Sequence, residues 1–472
     1  MNNSGLWYLP RYFTSKAVLA YFAVLIGCLA FFPNKLPLLW ITFGAVEVIA
    51  FFYFVNLFTR RWASKPERLF QKKLFNTALI IRVIYIVFIY IFYHIKTGQP
   101  FEFDAGDSAG YHGEGIYIID LLKSGHISDY FTIFEKPFSD RGFPIFLASI
   151  YFFSFNSILV ARLVIALLSA RMCVLLYRLA FRTSGLQAAR ITAVMSMLLP
   201  TLIYYTGLHT KETVMIFILV AFAERADYML RSPRIQLWGF FQVVLWGAVL
   251  FMFRTVLAAA AWFGLFSALL FSAGRLLGSR RRTVYITWFA IAAFFVISGR
   301  VLTEVKLNSE ARSTNLELQM QNIATRESGN KLARYGSRAI FLPAMFVAPF
   351  PTMVKVAGQE NAMMINGSIF VHNVYAFFVI IALLSIYRKK IVTYHILILA
   401  ILGSYLFILA SSGFALSERF HVPAVPFLLI LAGYGVTQLN KRYASLYIPY
   451  LVVMAIVIIS WNWFKLAGRG LV

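Results

Sequence analysis

The chain has 472 residues, of which 60% are hydrophobic, 17% aromatic and 13% charged, roughly half the ~25% charge of a soluble domain. Its 44 Lys and Arg outweigh 19 Asp and Glu, for a formal charge of +25. That excess falls in short loops between apolar runs, where anionic headgroups and the positive-inside rule account for it and nucleic acid does not. Composition excludes a soluble globular protein and implies an all-α polytopic membrane protein.

Apolar runs of about 17–22 residues, the length a helix needs to cross the hydrocarbon core, set the spans. The first sixteen residues are polar and no small-residue cleavage site follows, so the run 17–32 reads as a retained span. A second, 38–58, follows the turn Pro33-Asn34-Lys35-Leu36-Pro37. The basic loop TRRWASKPERLFQKK (59–73) should be cytoplasmic, and a span at 75–94 then crosses to the other side. The apolar segment 143–155 is too short to cross and would put RLAFRTSGLQAAR (178–190) outside, so it reads as an interfacial or re-entrant helix. Spans follow at 157–178, 190–207, 211–228, 236–252, 255–273 and 284–302, with basic loops at 231–234 and 274–282. A polar segment, 303–365, precedes spans at 367–386, 393–411, 421–437 and 446–463. The expectation is thirteen spans, with the N-terminus in and the C-terminus out. Cys28 and Cys173 lie in apolar runs, so neither a disulfide framework nor a thiolate metal site is expected. No glycine-rich phosphate loop, zinc spacing or twofold repeat is evident.

Negative charge is concentrated in one place. Phe101–Gly142 carries Glu102, Asp104, Asp107, Glu114, Asp120, Asp129, Glu135 and Asp140, eight of the nineteen acids. Asp104, Asp107, Tyr111 and Glu114 are spaced at 3, 4 and 3, which on a helix would put them on one face. A carboxylate held there could act as a general base toward a hydroxyl, although a solvated loop also explains any one of these acids. On the same expected side lie Lys211 and Glu212 of LHTKE, Arg254 at the end of an apolar stretch, and Arg419 and His421 of SERFHVP. Lysine can hold a phosphate as a point charge, here with Glu212 orienting it. An arginine at such depth pairs, snorkels or faces a cavity. Arg162 and Arg171, inside the fourth expected span, need partners or water.

These motifs together resemble the C-type glycosyltransferases, polytopic enzymes that use polyprenyl-phosphate sugars at the outer face. GDSAGYH is similar to that family's acidic residue and following tyrosine in a large external loop, with Asp107 and Tyr111 in those places. Arg141-Gly142-Phe143-Pro144 is loosely similar to its proline-rich helix entry. MLLPTLIYYTGLHTKET, with Lys211 and Glu212, resembles its short charged external turn. Arg419 to Pro426 resembles its late RY-x-x-P-x-x-P pattern. Two extra spans precede the acidic loop, the plain Asp-Glu motif is missing, and no large soluble C-terminal domain follows.

The resemblance implies an inverting transfer from a polyprenyl-phosphate sugar to an extracytoplasmic glycan, lipid or protein, in an integral membrane protein of the bacterial inner membrane. Asp107 would be the base, with Asp104 as its rival. Lys211, Arg254 and Arg419 would hold the phosphate, and Asp104 or Glu114 would bind sugar or a divalent ion. The chain would divide into an N-terminal hairpin (1–74), a catalytic core (75–302), a capping segment (303–366) and C-terminal spans (367–472). A polysaccharide polymerase or ligase using a diphosphate-linked glycan is a rival enzyme reading. A lipid or glycan transporter is the rival from another class.

Overall fold

Pro66 and Gly98 bracket the helix that organises the bundle. Pro66 lacks an N–H and sits just before the first turn, where none is needed. Gly98 takes the left-handed conformation at φ 75° that ends the helix, its N–H donating to the His94 carbonyl at 3.1 Å. Between them Phe70, Leu74, Ala78, Arg82, Ile86, Ile89 and Tyr93 form a buried stripe at helical spacing.

The computed structural model describes residues 7–132, 138–271, 278–297, 343–410 and 417–467, and every element among them is helical. The first helices are α1 (Arg11–Phe31), α2 (Leu38–Arg61) and α3 (Glu67–Thr97). The acidic stretch contributes α4 (Gly106–Lys123), α5 (Ile127–Thr132), a 3-10 turn at Phe138–Asp140 and α6 (Gly142–Ser154). Then come α7 (Ile158–Leu198), α8 (Pro200–Gly207), α9 (Glu212–Arg231), α10 (Leu237–Phe253), α11 (Thr255–Phe271) and α12 (Ser279–Ile297). The chain continues with α13 (Glu360–Met364), α14 (Asn366–Arg388), α15 (Val392–Ala410), α16 (Glu418–His421), α17 (Val425–Thr437), α18 (Lys441–Ser445) and α19 (Tyr447–Ala467).

Among the described residues, eight helices are long and apolar enough to cross a membrane: α1, α2, α3, α7, α14, α15, the 418–437 segment and the 441–467 segment. The chain is an all-α membrane protein. Helices also occupy the other expected spans, but α10 and α11 have 17 residues each and α9 and α12 carry several charges. The expected 284–302 span is described only as far as residue 297. The segment expected to be interfacial or re-entrant forms α6, an apolar helix of 13 residues that packs on α4.

The element α7 is a hairpin. At Gly185 the backbone takes φ 85°, ψ 171°, a region open essentially to glycine alone, and the chain reverses there. Arg82, at the middle of α3, reaches both arms. Its Nε donates to Ser169 Oγ at 2.6 Å, Nη1 to the Ala78 and Met197 carbonyls at 3.2 Å, and Nη2 to the Ser196 carbonyl at 3.3 Å. A guanidinium in the hydrocarbon region is stable only when its donors are satisfied in this way. The expected 190–207 span is thus the second arm plus α8, bent at Leu199-Pro200.

Helix pairs approach closely through small residues, as membrane bundles require. At Gly435 in α17 an added Cβ would lie 1.9 Å from the backbone oxygen of Phe378 in α14, whereas at Gly403 nothing lies within 4 Å. Gly435→Ala should therefore lower stability by about 1–3 kcal/mol, read as a lower thermal transition in detergent, with Gly403→Ala unchanged as the control.

The two ends of the bundle differ in charge. At one end Arg190 caps the carbonyls of Trp62, Ala63 and Lys65, and Arg182 pairs with Glu224 at 3.0 Å and Asp227 at 2.8 Å. Arg231, Arg388 and Lys389 gather at the same end. The acidic segment, the 207–212 turn, the 253–255 turn and α16 meet at the opposite end. The proline-broken apolar segment around 345–356 packs into the bundle: Asn373 Nδ2 donates to the Val347 and Pro349 carbonyls, and Asn462 binds Pro351 and Met353. The rest of the expected capping segment, 303–342, lies outside the described residues.

Candidate functional site

Helix α4 starts at Gly106, so Asp107 occupies its first turn, where the N-terminal dipole favours an anion. Tyr111 and Glu114 follow one and two turns on, and Tyr111 is buried edge-on against Phe143 at 5.2 Å. Asp104 does not share this face. It precedes the helix, is exposed and has a left-handed backbone at φ 52°. The 3-4-3 spacing overreached because the helix begins two residues after Asp104.

Arg419 is the centre of the site. It pairs through Nη1 with Asp107 Oδ2 and through Nε with Glu212 Oε1, joining α16 to the first turns of α4 and α9. Glu212 is 1% exposed, while the Asp107 side chain is 54% exposed. Lys211 pairs with Asp140 instead of being oriented by Glu212. Residues 107, 140, 211, 212 and 419 therefore meet at one end of the bundle. Burial, followed by the carboxylates of Asp140, Glu212 and Asp107, holds the Tyr111 phenol protonated well above its ordinary range. Its hydroxyl is a donor beside three acceptors.

Arg254 lies next to this cluster, its guanidinium 4.3 Å from the centre of the Phe420 ring. That is a cation–π contact, which leaves the N–H groups in the guanidinium plane available. His421 is buried and turns toward His372, ring to ring at 6.5 Å, away from a role at the rim. Glu114 is half-buried on α4. Among the described residues no group of three His, Cys, Asp or Glu is placed to hold a metal ion, so the expected pairing of Asp104 or Glu114 with a divalent ion has no ligand set there. Asn366-Gly367-Ser368 has the spacing of an N-glycosylation acceptor, but Asn366 is fully buried, Tyr21 donates to its Oδ1, and its Nδ2 donates to the Trp40 and Met363 carbonyls.

Beneath the rim lies a buried layer that the sequence reading largely missed. Glu102 is 8% exposed and accepts from Ser108 Oγ at 2.6 Å. Burial pushes its carboxyl up, against the opposing pull of Ser108, Arg162 and Arg419. Arg162 is fully buried. Its Nη2 donates to the Pro100 carbonyl at 2.5 Å and its guanidinium lies over the Tyr90 ring, while Nε and Nη1 have no hydrogen-bond partner among the described residues. Beside them runs a hydrogen-bonded chain in which the Tyr151 hydroxyl meets His112 Nδ1 and His209 Nε2, each at 2.8 Å. One hydroxyl proton serves both bonds, so Tyr151 donates to one ring and accepts from the other. The only sequence signal for this layer was the placement of polar residues within or next to apolar runs.

His209 lies in the turn before α9, where burial first, then Arg162 and His112, hold its imidazole well below the ordinary range. The folded state therefore binds fewer protons than the unfolded chain below about pH 6.5. Stability present above that pH is lost as pH falls toward the depressed folded value. Thermal transitions measured from pH 7.5 to 5 should drop, and His209→Asn should flatten the slope.

Compared with known proteins, the chain matches no family model and no curated protein. The chemistry of the site rests on its own geometry.

Proposed function

We propose that the protein is an inverting membrane glycosyltransferase that takes a sugar from a polyprenyl-phosphate donor. The observation that carries this reading is the Asp107–Arg419–Glu212 bridge, with Lys211–Asp140 and Arg254 beside it. Four segments far apart in the chain meet to put the partly exposed Asp107 carboxylate on Arg419, with Lys211 and Arg254 in the same cluster.

In this reading the acceptor hydroxyl attacks the anomeric carbon from the face opposite the phosphate. Asp107 takes the hydroxyl proton as the new glycosidic bond forms. The bond from the anomeric carbon to the phosphate oxygen breaks, its electrons stay with the leaving polyprenyl phosphate, and the configuration inverts. Phosphate leaves without protonation, so the paired acids of a glycoside hydrolase are not required. Arg254 and Arg419 stabilise the charge that develops on it. Arg419 is shared in the free protein, so donor phosphate would replace Asp107 as its partner and release the base as the donor binds. Tyr111 donates a hydrogen bond to sugar or phosphate.

The accompanying topology has thirteen spans, with the basic end cytoplasmic and the site on the extracytoplasmic side of a bacterial inner membrane. The acceptor is a glycan, lipid or protein displayed there. To test the activity, purified protein is incubated with polyprenyl-phosphate-linked hexoses and pentoses, polyprenyl-diphosphate-linked glycans and a pool of envelope acceptors, and free polyprenyl phosphate is followed by mass spectrometry. Its release with an inverted product linkage is expected. Intact donors across the panel, with diphosphate-linked glycan consumed instead, would move the assignment to a polymerase or ligase.

A further inference from the structure

At the opposite, basic end of the bundle, a cavity of about 340 Å³ opens between α2 and α3, lined by Phe58, Arg61, Trp62, Lys65, Lys73, Asn76 and Thr77. Its volume falls in the ~300–1,000 Å³ range of ligand sites. Three of its seven lining residues are cations, and no ion pair with a carboxylate joins any of them among the described residues. The acid nearest in sequence, Glu67, is engaged by Gln71 Nε2 at 3.1 Å. Crowding by Lys73 is strong enough to pull the Lys65 ammonium below its ordinary range. Like charges gathered around an empty volume repel one another, and a bound anion relieves that repulsion.

The walls indicate what carries the anion. Phe54 stacks on Phe58 at 5.7 Å and Phe58 on Trp62 at 4.9 Å, making an aromatic column along α2 that ends at the cavity. Along α3 the face continues from Lys73 and Thr77 to Ile80 and Ile84, 58% and 64% exposed. Cationic side chains at the mouth and an exposed apolar track along the outer surface of α2 and α3 match a molecule with an anionic head and a hydrocarbon tail. Asn76 and Thr77 add neutral polar groups suited to ester oxygens or a headgroup hydroxyl.

We propose that this cavity binds the phosphate headgroup of an anionic membrane lipid, with one hydrocarbon chain lying along Phe54–Phe58 and Ile80–Ile84. The site is separate from the Asp107 cluster and does not depend on the transferase reading. A lipid bridging α2 and α3 would fix the N-terminal hairpin against the rest of the bundle on the basic side.

Full-length protein, stripped of lipid in mild detergent, is titrated with phosphatidylglycerol, phosphatidylcholine or inorganic phosphate and read by native mass spectrometry and thermal shift. Phosphatidylglycerol should bind about tenfold or more tighter than phosphatidylcholine, with inorganic phosphate far weaker than either. The triple variant Arg61→Gln/Lys65→Gln/Lys73→Gln should lose that preference. Arg68→Gln/Lys72→Gln, which removes two charges from the same basic stretch outside the cavity lining, should keep it within twofold. The single Lys73→Gln variant, expected to lose three- to tenfold, keeps the test readable if the triple variant does not fold. Equal loss in the inside and outside variants would mean diffuse surface charge and overturn the site. Equal protection by inorganic phosphate would overturn the lipid as its source.

Discussion

Asp107→Asn is expected to lower the transfer rate by about 10²- to 10⁴-fold, the range assigned to a positioned general base. The substitution keeps shape and hydrogen-bonding capacity but removes the negative charge that takes the proton. Because Asp107 sits on the rim, 54% exposed, the fold should tolerate it. The lost first-turn charge costs only about 0.3–1 kcal/mol. The pairing with Arg419 adds a sign to the prediction. With its competitor neutralised, Arg419 is freer to bind phosphate, so the donor KM should stay level or fall while kcat collapses. Asp104→Asn, exposed and outside the helix, should change activity less than about twofold, within the range of ordinary surface substitutions. Wild-type turnover in a well-inserted Asp107→Asn protein would remove Asp107 from the role of base.

Arg419→Gln should damage stability and activity together, and the two effects can be separated. Glu212 is 1% exposed and Arg419 is its ion-pair partner. Removing the guanidinium strands a buried carboxylate, a change that costs about 3–5 kcal/mol for an enclosed pair. The low end, about 3 kcal/mol, applies here because the Arg419 side chain keeps one-third of its exposure. Adding Glu212→Gln removes the stranded charge, so the double variant should recover most of the lost thermal stability. On the proposed mechanism, transfer should remain low in the double variant, because the donor phosphate would still lack the Arg419 guanidinium. If the double variant is no more stable than Arg419→Gln alone, the bridge is not what the residue supplies.

Sequence reading succeeded where a residue's environment follows from its neighbours in the chain. Apolar run lengths placed the helices, the short run 143–155 corresponds to the 13-residue α6, and Lys and Arg gather at one end of the bundle. It fell short where tertiary packing decides. Spacing put Asp104 beside Asp107, but periodicity says nothing about where a helix begins. Glu102 looked like one more acid in a polar loop, and only the packing of that loop buries it. Lys211 was matched with its sequence neighbour Glu212, yet Asp140, 71 residues away, reaches it, and Glu212 goes to Arg419. Adjacent residues leave a turn in different directions, so chain proximity is a poor guide to ion pairing. Arg82 was passed over inside an apolar run although the structure makes it a staple.

That staple bears on how the protein is made. The acceptors that satisfy Arg82 include the Met197 carbonyl, 115 residues further along the chain. At roughly 5–20 residues per second of synthesis, the third helix is complete some 5–20 s before the last of them is translated. During that interval lipid offers the guanidinium no acceptors. Until then Arg82 has the Ala78 carbonyl of its own helix and snorkelling to rely on, at a cost of about 2.5–3.5 kcal/mol at a helix centre, so docking of the Gly185 hairpin favours the two entering the bilayer together.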